Sequence, residues 1–110
     1  MKLAVIIPVY NAENTIRKAV KSIDTTHDVE IICINDGSTD GTKQVLTELQ
    51  KEVKHLIVYH QDNQGAAKSR NIGLSAMSDD IDAFMFLDAD DKCLPGKMDQ
   101  MIQYYEKNNH

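Results

Sequence analysis

Apolar and polar positions are arranged along this chain in blocks of two kinds. Four short apolar runs stand out, "LAVIIPV" (3–9), "VEIICIN" (29–35), "HLIVYH" (55–60) and "IDAFMFLD" (81–88), the first of them continuous and rich in β-branched residues. Such runs predict strands covered on both faces, because a strand with one wet face would alternate strictly. Between them lie stretches whose apolar residues recur every three or four positions, the spacing of a helix with one buried face. Ile16, Ala19, Val20 and Ile23 follow Asn11, which reads as an N-cap; Val45, Leu46, Leu49 and Val53 follow a helix start near Thr42. A third helix is expected from about Ala66 to Met77. A fourth, beyond Pro95 and Gly96, places Met98, Met101, Ile102 and Tyr105 on one face.

Four strand-then-helix pairs predict the α/β class: a Rossmann-like three-layer sandwich, with a mainly parallel sheet of four strands, four helices and right-handed crossovers. Ligands of such sheets bind outside the carboxyl ends of the strands, where strand order reverses. The polar segments "YN", "NDGSTD", "QDNQG" and "DADD" fall at those ends, one per strand. One rim should therefore hold the chemistry.

Composition narrows the partners. A chain of 110 residues reads as one domain, 1–110, and 42% apolar with 26% charged residues is ordinary for a globular protein. A net charge of -5 argues against a nucleic-acid surface, which needs clustered Lys and Arg, but does not forbid a small phosphate ligand. Cys33 and Cys93 are too few for a disulfide scaffold, so a reducing, cytoplasmic setting is expected, with Cys33 a small core residue. No apolar run approaches the roughly 18 residues of a membrane span.

Along the rim, Asp88, Asp90 and Asp91 crowd the mouth of the fourth strand. Hard oxygen ligands so close suit Mg²⁺ or Mn²⁺, which take one or two carboxylates together with substrate phosphates. The spacing of a calcium-binding helix-loop-helix fails, since Cys93 and Asp99 stand where glycine and glutamate belong, and no phosphate-cradling GxxxxGK[ST] occurs. Asp36, at the second strand's end, can accept from a ribose hydroxyl or a base N–H, although "NDGSTDGT" is also ordinary turn composition. Lys68 and Arg70 lie in the first turns of the third helix, where an anion is favoured; being two apart, they do not share a face. Tyr10 can stack on a base or plug the sheet end. His27, His55 and His60 lack metal spacing.

Taken together, "PVYN" (8–11), "NDGSTDGT" (35–42), "NQGAAKSRNIGL" (63–74) and "FLDADD" (86–91) resemble, in order and spacing, the N-terminal half of family 2 glycosyltransferases. The resemblance implies a GT-A fold and metal-dependent, inverting transfer from a nucleoside-diphosphate sugar, by family habit a UDP-sugar, to a saccharide or lipid-linked acceptor. It implies that Pro8, Val9 and Tyr10 border the nucleobase and that Asp36 reads it. Lys68 and Arg70 match the segment near base and diphosphate. "DAD" matches the DxD motif, with Asp88 near ribose or metal, Ala89 between, and Asp90 at the Mn²⁺ or Mg²⁺ that bridges the diphosphate; Asp91 matches a further acid turned toward the sugar. No residue matches the family's general base, which belongs to a later part of the domain. A non-catalytic nucleotide-binding module or a truncated fragment is therefore an alternative reading. A missing half would also leave an open sheet edge or apolar face that invites self-association.

Overall fold

The computed structural model describes residues 1–108. Strands β1 (Lys2–Val9), β2 (Asp28–Asp36), β3 (Leu56–Gln61) and β4 (Ala83–Phe86) alternate with helices α1 (Ile16–Lys21), α2 (Thr42–Glu52), α3 (Ala66–Ala76) and α4 (Lys97–Asn108). All strands are parallel, in the order β3-β2-β1-β4. The α/β sandwich expected from the apolar runs is the fold observed.

β1 and β2 are central, and side-chain alternation divides their residues between two layers. Leu3, Val5, Ile7, Val9, Ile31 and Cys33 point to one face, where they join Ile16, Ala19 and Val20 of α1, Leu46 and Leu49 of α2 and Met98 of α4 in one buried cluster. Burial pushes the Cys33 thiol up to about 12, as befits an inert core residue. α1 and α2 are also joined at the surface: Arg17 bonds Glu48 (3.0 Å) and Glu52 (2.7 Å), and Lys21 bonds Glu52 (2.9 Å). These bonds, led by that from Arg17, hold the Glu52 carboxyl down at about 2. The network is exposed, so its contribution to stability is small and salt-dependent.

The opposite face is covered by α3, which packs on β1 and β2. Its buried residues are Ser69 and Gly73, one turn apart. A Cβ on Gly73 would collide with Cγ2 of Ile6, so glycine lets the helix axis approach β1 closely. Two buried carboxylates of β2 secure the two ends of this helix. Glu30 accepts from the amide (3.1 Å) and hydroxyl (2.7 Å) of Ser78, past the helix end. Asp36 accepts from the amides of Gln64 (2.7 Å) and Gly65 (2.9 Å), at its start, where the partial positive charge of the helix also favours an anion.

The start of α1 and the extent of β4 differ from the sequence reading, each for a local reason. Asn11 is not an N-cap: it adopts φ 48°, and α1 begins only after Thr15. Its side chain is committed to the next loop instead, as described below. β4 is four residues long because only Ala83–Phe86 pair fully with β1, although Asp82 N–H still donates to Lys2 (2.8 Å) and Leu87 N–H to Ile6 (3.0 Å). Asp88 therefore lies beyond the strand. β4 is an outer strand, with Phe84 and Phe86 45% and 40% exposed.

Two measurements check this account. Gly73→Ala gains about 1 kcal/mol of helix propensity but overpacks a tight contact at about 1–3 kcal/mol, so urea unfolding should show a net loss. Gly73→Ala with Ile6→Ala should cost less than the sum of the single variants; strict additivity would remove the contact from the explanation. The second concerns acid. Burial raises the affinity of Asp36 for a proton, but hydrogen bonds from Gln61, Gln64 and Gly65 outweigh it and hold the carboxyl below its ordinary 3.8. The stability it confers is thus present above that value and lost as pH falls through the lower folded value. Asp36→Asn should lose about 1–3 kcal/mol near neutrality and flatten the acid limb, read from melting temperatures between pH 2 and 7.

Candidate functional site

The chain runs outward from β1 to β3 and then returns to place β4 on the other side of β1. Strand order therefore reverses between β1 and β4, and a ligand crevice is expected at their carboxyl ends. The loops that flank this point are Tyr10–Thr15 and Asp88–Lys92.

The β1 loop is fixed by the loop after β2. Asn11 N–H donates to Ser38 Oγ (2.9 Å), and Asn11 Oδ1 accepts from Thr39 N–H (2.8 Å). Ala12 N–H donates to Thr42 Oγ1 (2.8 Å), and Gly41 N–H to Glu13 Oε2 (3.0 Å). Hydrogen-bonding side chains explain why "NDGSTDGT" is so polar: it is the mate of "YNAEN". Tyr10, one residue before this strap, is 52% exposed and does not plug the sheet end. Pro8 is half-buried and Val9 is buried in the core, so Val9 can border a ligand only through its backbone.

Asp36 is buried at the end of β2. Besides the amides of Gln64 and Gly65, it accepts from Gln61 Nε2 (2.9 Å), which also donates to Ser69 Oγ (3.2 Å). Its main-chain oxygen accepts from Asn63 Nδ2 (3.1 Å). A carboxylate offers about four acceptor positions. Three are filled here, which leaves one on Oδ2 for a ligand N–H or O–H. Gly37 follows at φ 69°, and a Cβ there would lie 2.6 Å from the Asn63 amide nitrogen. Only glycine lets the loops after β2 and β3 meet this closely.

Asp88, Ala89, Asp90 and Asp91 form a turn closed by Asp91 N–H donating to Asp88 O (3.0 Å). Ala89 is half-buried, and all three acids are exposed. The Asp88 and Asp90 carboxylates receive no hydrogen bond or ion pair among the described residues, while Asp91 Oδ1 accepts from Lys92 N–H (2.8 Å). A groove of about 260 Å³ separates this turn from the β1 loop, lined by Asn14, Thr15, Lys18, Asp90, Asp91 and Lys92. Among the described residues no cluster of three or more His, Cys, Asp or Glu surrounds a metal-sized space. A closed protein cage is thus excluded for these residues. Two uncommitted carboxylates that leave the remaining positions to ligand phosphates suit Mg²⁺ or Mn²⁺.

Lys68 is exposed, whereas Arg70 lies half-buried with its guanidinium 5.9 Å from the centre of the Phe86 ring. The two basic residues thus separate as their spacing predicted. Two of the histidines have local partners: His27 faces Asp99 (2.9 Å), and His60 Nδ1 lies 3.0 Å from Asn35 Nδ2. Sequence reading missed Gln61, Ser69 and Phe86. Gln61 could have been found only once β3 was known to pair with β2, which puts it opposite Asp36. Phe86 was hidden as one more apolar strand residue.

Comparison with known proteins agrees with this architecture. The family model described as glycosyl transferase family 2 matches residues 4–110. A putative glycosyltransferase TagX of Staphylococcus aureus is 38% identical over the whole of this chain, which spans 32% of that protein. The glycosyltransferase GlyA of Streptococcus pneumoniae is 43% identical over 82% of the chain and 13% of its own length. Crystal structures of residues 1–349 of S. aureus TarS superpose on 97% of the chain with TM-scores of 0.83 and, in complex with UDP, 0.82, at 26% and 25% identity. Those aligned regions are about a third of the TarS chains. The GT-A-like fold and the order of the polar loops thus have one common explanation: this chain belongs to glycosyl transferase family 2.

Proposed function

We propose that this chain binds the donor in a glycosyltransferase that moves a sugar from a UDP-sugar to a saccharide or lipid-linked acceptor with inversion. The observation that carries this reading is the pair of uncommitted carboxylates, Asp88 and Asp90, in an exposed turn at the strand-order reversal, opposite the half-exposed Tyr10. UDP in the similar TarS structure supports the choice of nucleotide.

Each residue has a chemical part in this proposal. Tyr10 supplies an aromatic face for the base, with Pro8 and the Val9 backbone beside it. The free acceptor position of Asp36 takes a base N–H. Lys68 and Arg70 offer positive charge toward the diphosphate. Asp88 and Asp90 would hold Mg²⁺ or Mn²⁺, which when bound offsets the charge that develops on the departing diphosphate. The bond from the acceptor oxygen to the sugar's anomeric carbon forms as the bond to the β-phosphate oxygen breaks. The hydroxyl proton passes to a general base that is not among the residues assigned here.

Calorimetry with UDP tests the proposal. Binding should require Mn²⁺ or Mg²⁺, and Asp90→Ala should abolish that requirement together with most of the affinity; metal-independent binding, or an unaffected variant, would refute the assignment. Tyr10→Ala should weaken uridine and UDP alike by about 1–3 kcal/mol, the worth of one base stack. An effect confined to UDP would place Tyr10 at the phosphates instead.

A further inference from the structure

We infer that Phe86 is a positioning residue, whose ring holds the Arg70 guanidinium in place for the anionic part of the donor. This rests on the reading of Arg70 as a diphosphate contact. The inference starts from an imbalance of charge. Among the described residues Arg70 has no carboxylate partner and no side-chain hydrogen bond, while Arg17 has two acids. A long cationic side chain left alone at a surface samples many rotamers, and ordering it on ligand binding costs affinity. Arg70 instead lies over an aromatic face, 5.9 Å from the ring centre, within the range in which a guanidinium is attracted to a ring.

The packing that builds this stack is specific. Phe86 pairs in register with Ile6, and Ile6 is the residue on which Gly73 seats α3. Arg70 precedes Gly73 by three positions, so it shares that side of the helix and reaches over β1 to β4. Phe84 meets Phe86 edge to face, centres 5.7 Å apart and planes at 73°, which fixes the orientation of the ring. Phe86 is also two residues from Asp88, so the stack stands beside the acidic turn. A ring orients a guanidinium without consuming any of its donors, whereas an acid in the same place would neutralise the charge and occupy them. That explains the exposure of Phe86 at an open edge, which core packing does not.

Calorimetry with UDP and with uridine, each in the presence of Mn²⁺, separates the possibilities, with melting curves to confirm that every variant folds. Arg70→Ala should weaken UDP about tenfold and Phe86→Leu about threefold, with uridine affinity unchanged in both. Phe86→Tyr should restore UDP binding, and the double variant Arg70→Ala/Phe86→Leu should be no weaker than Arg70→Ala. The Arg70 side-chain proton resonances should lie upfield in the wild type and return to ordinary positions in Phe86→Leu. If Phe86→Leu leaves UDP affinity intact while Arg70→Ala weakens it, or if the two effects add, the positioning role is overturned and the donor reading stands. If the wild type shows the ring-current shift but does not bind UDP, the donor reading is overturned and the positioning role with it.

Discussion

The carboxylate of Asp36 is the interaction on which the rest of this structure depends. A buried charge is costly unless its acceptor positions are filled. Here three of them are filled, by the side chain of Gln61, the last paired residue of β3, and by the amides that open α3. One group thereby fixes the ends of two strands and the start of a helix. Glu30, at the other end of β2, fixes the far end of the same helix through Ser78. The pair supplements the packing: α3 fully buries only Ser69 and Gly73, with Ile72 and Leu74 half-buried, while Ala4, Ile6, Ile32 and Ile34 on the sheet face are fully buried. Polar contacts at its two ends set its position, and that position sets the reach of Arg70.

The acids of this chain divide by what surrounds them. Asp36 and Glu30 are buried and hydrogen-bonded within the fold. Asp40 is occupied by Thr42, and Glu52 by Arg17 and Lys21. Asp88 and Asp90 have no such partner among the described residues, yet the backbone holds them in one turn. Like charges in close quarters repel, so a fold under no other demand would neutralise or disperse them. Keeping them together is intelligible if their partner comes from outside, as a divalent cation accompanied by phosphate.

Much of this could be read from the sequence, for reasons particular residues make plain. The runs 3–9 and 29–35 are apolar on both alternating faces because α3 covers one and α1 and α2 the other, so strand position and parallel topology were legible. The exposed turn at 88–91 was legible because crowded acids end the apolar run and take the chain out to solvent. What was hidden is whatever depends on strand order. Asn11 reads as a helix cap until the β1 and β2 loops are seen to be adjacent, when its left-handed conformation and its bond to Thr39 become the strap between them. Asp36 reads as a free ligand group until Gln61 is placed opposite it. Phe86 reads as core until β4 proves to be an edge.

Cavity size by itself points to the other end of the molecule. A larger hollow, about 490 Å³, lies at the amino ends of the strands, lined by Lys21, His27, Asp28, Glu52, Lys54 and His55. The carboxyl ends of α1 and α2 meet there, and their partial negative charge opposes an anionic ligand. Some of its charged groups already have partners: Lys21 bonds Glu52, and His27 faces Asp99. The smaller groove at the carboxyl ends has the reverse character. It is lined by Asp90 and Asp91 beside Lys18 and Lys92, the Asp90 carboxylate has no partner among the described residues, and the exposed Tyr10 belongs to the adjoining β1 loop. Binding free energy comes from groups that gain partners when the ligand arrives, so the rim that holds Asp88 and Asp90 without partners among the described residues, at the reversal of strand order, is the site we propose.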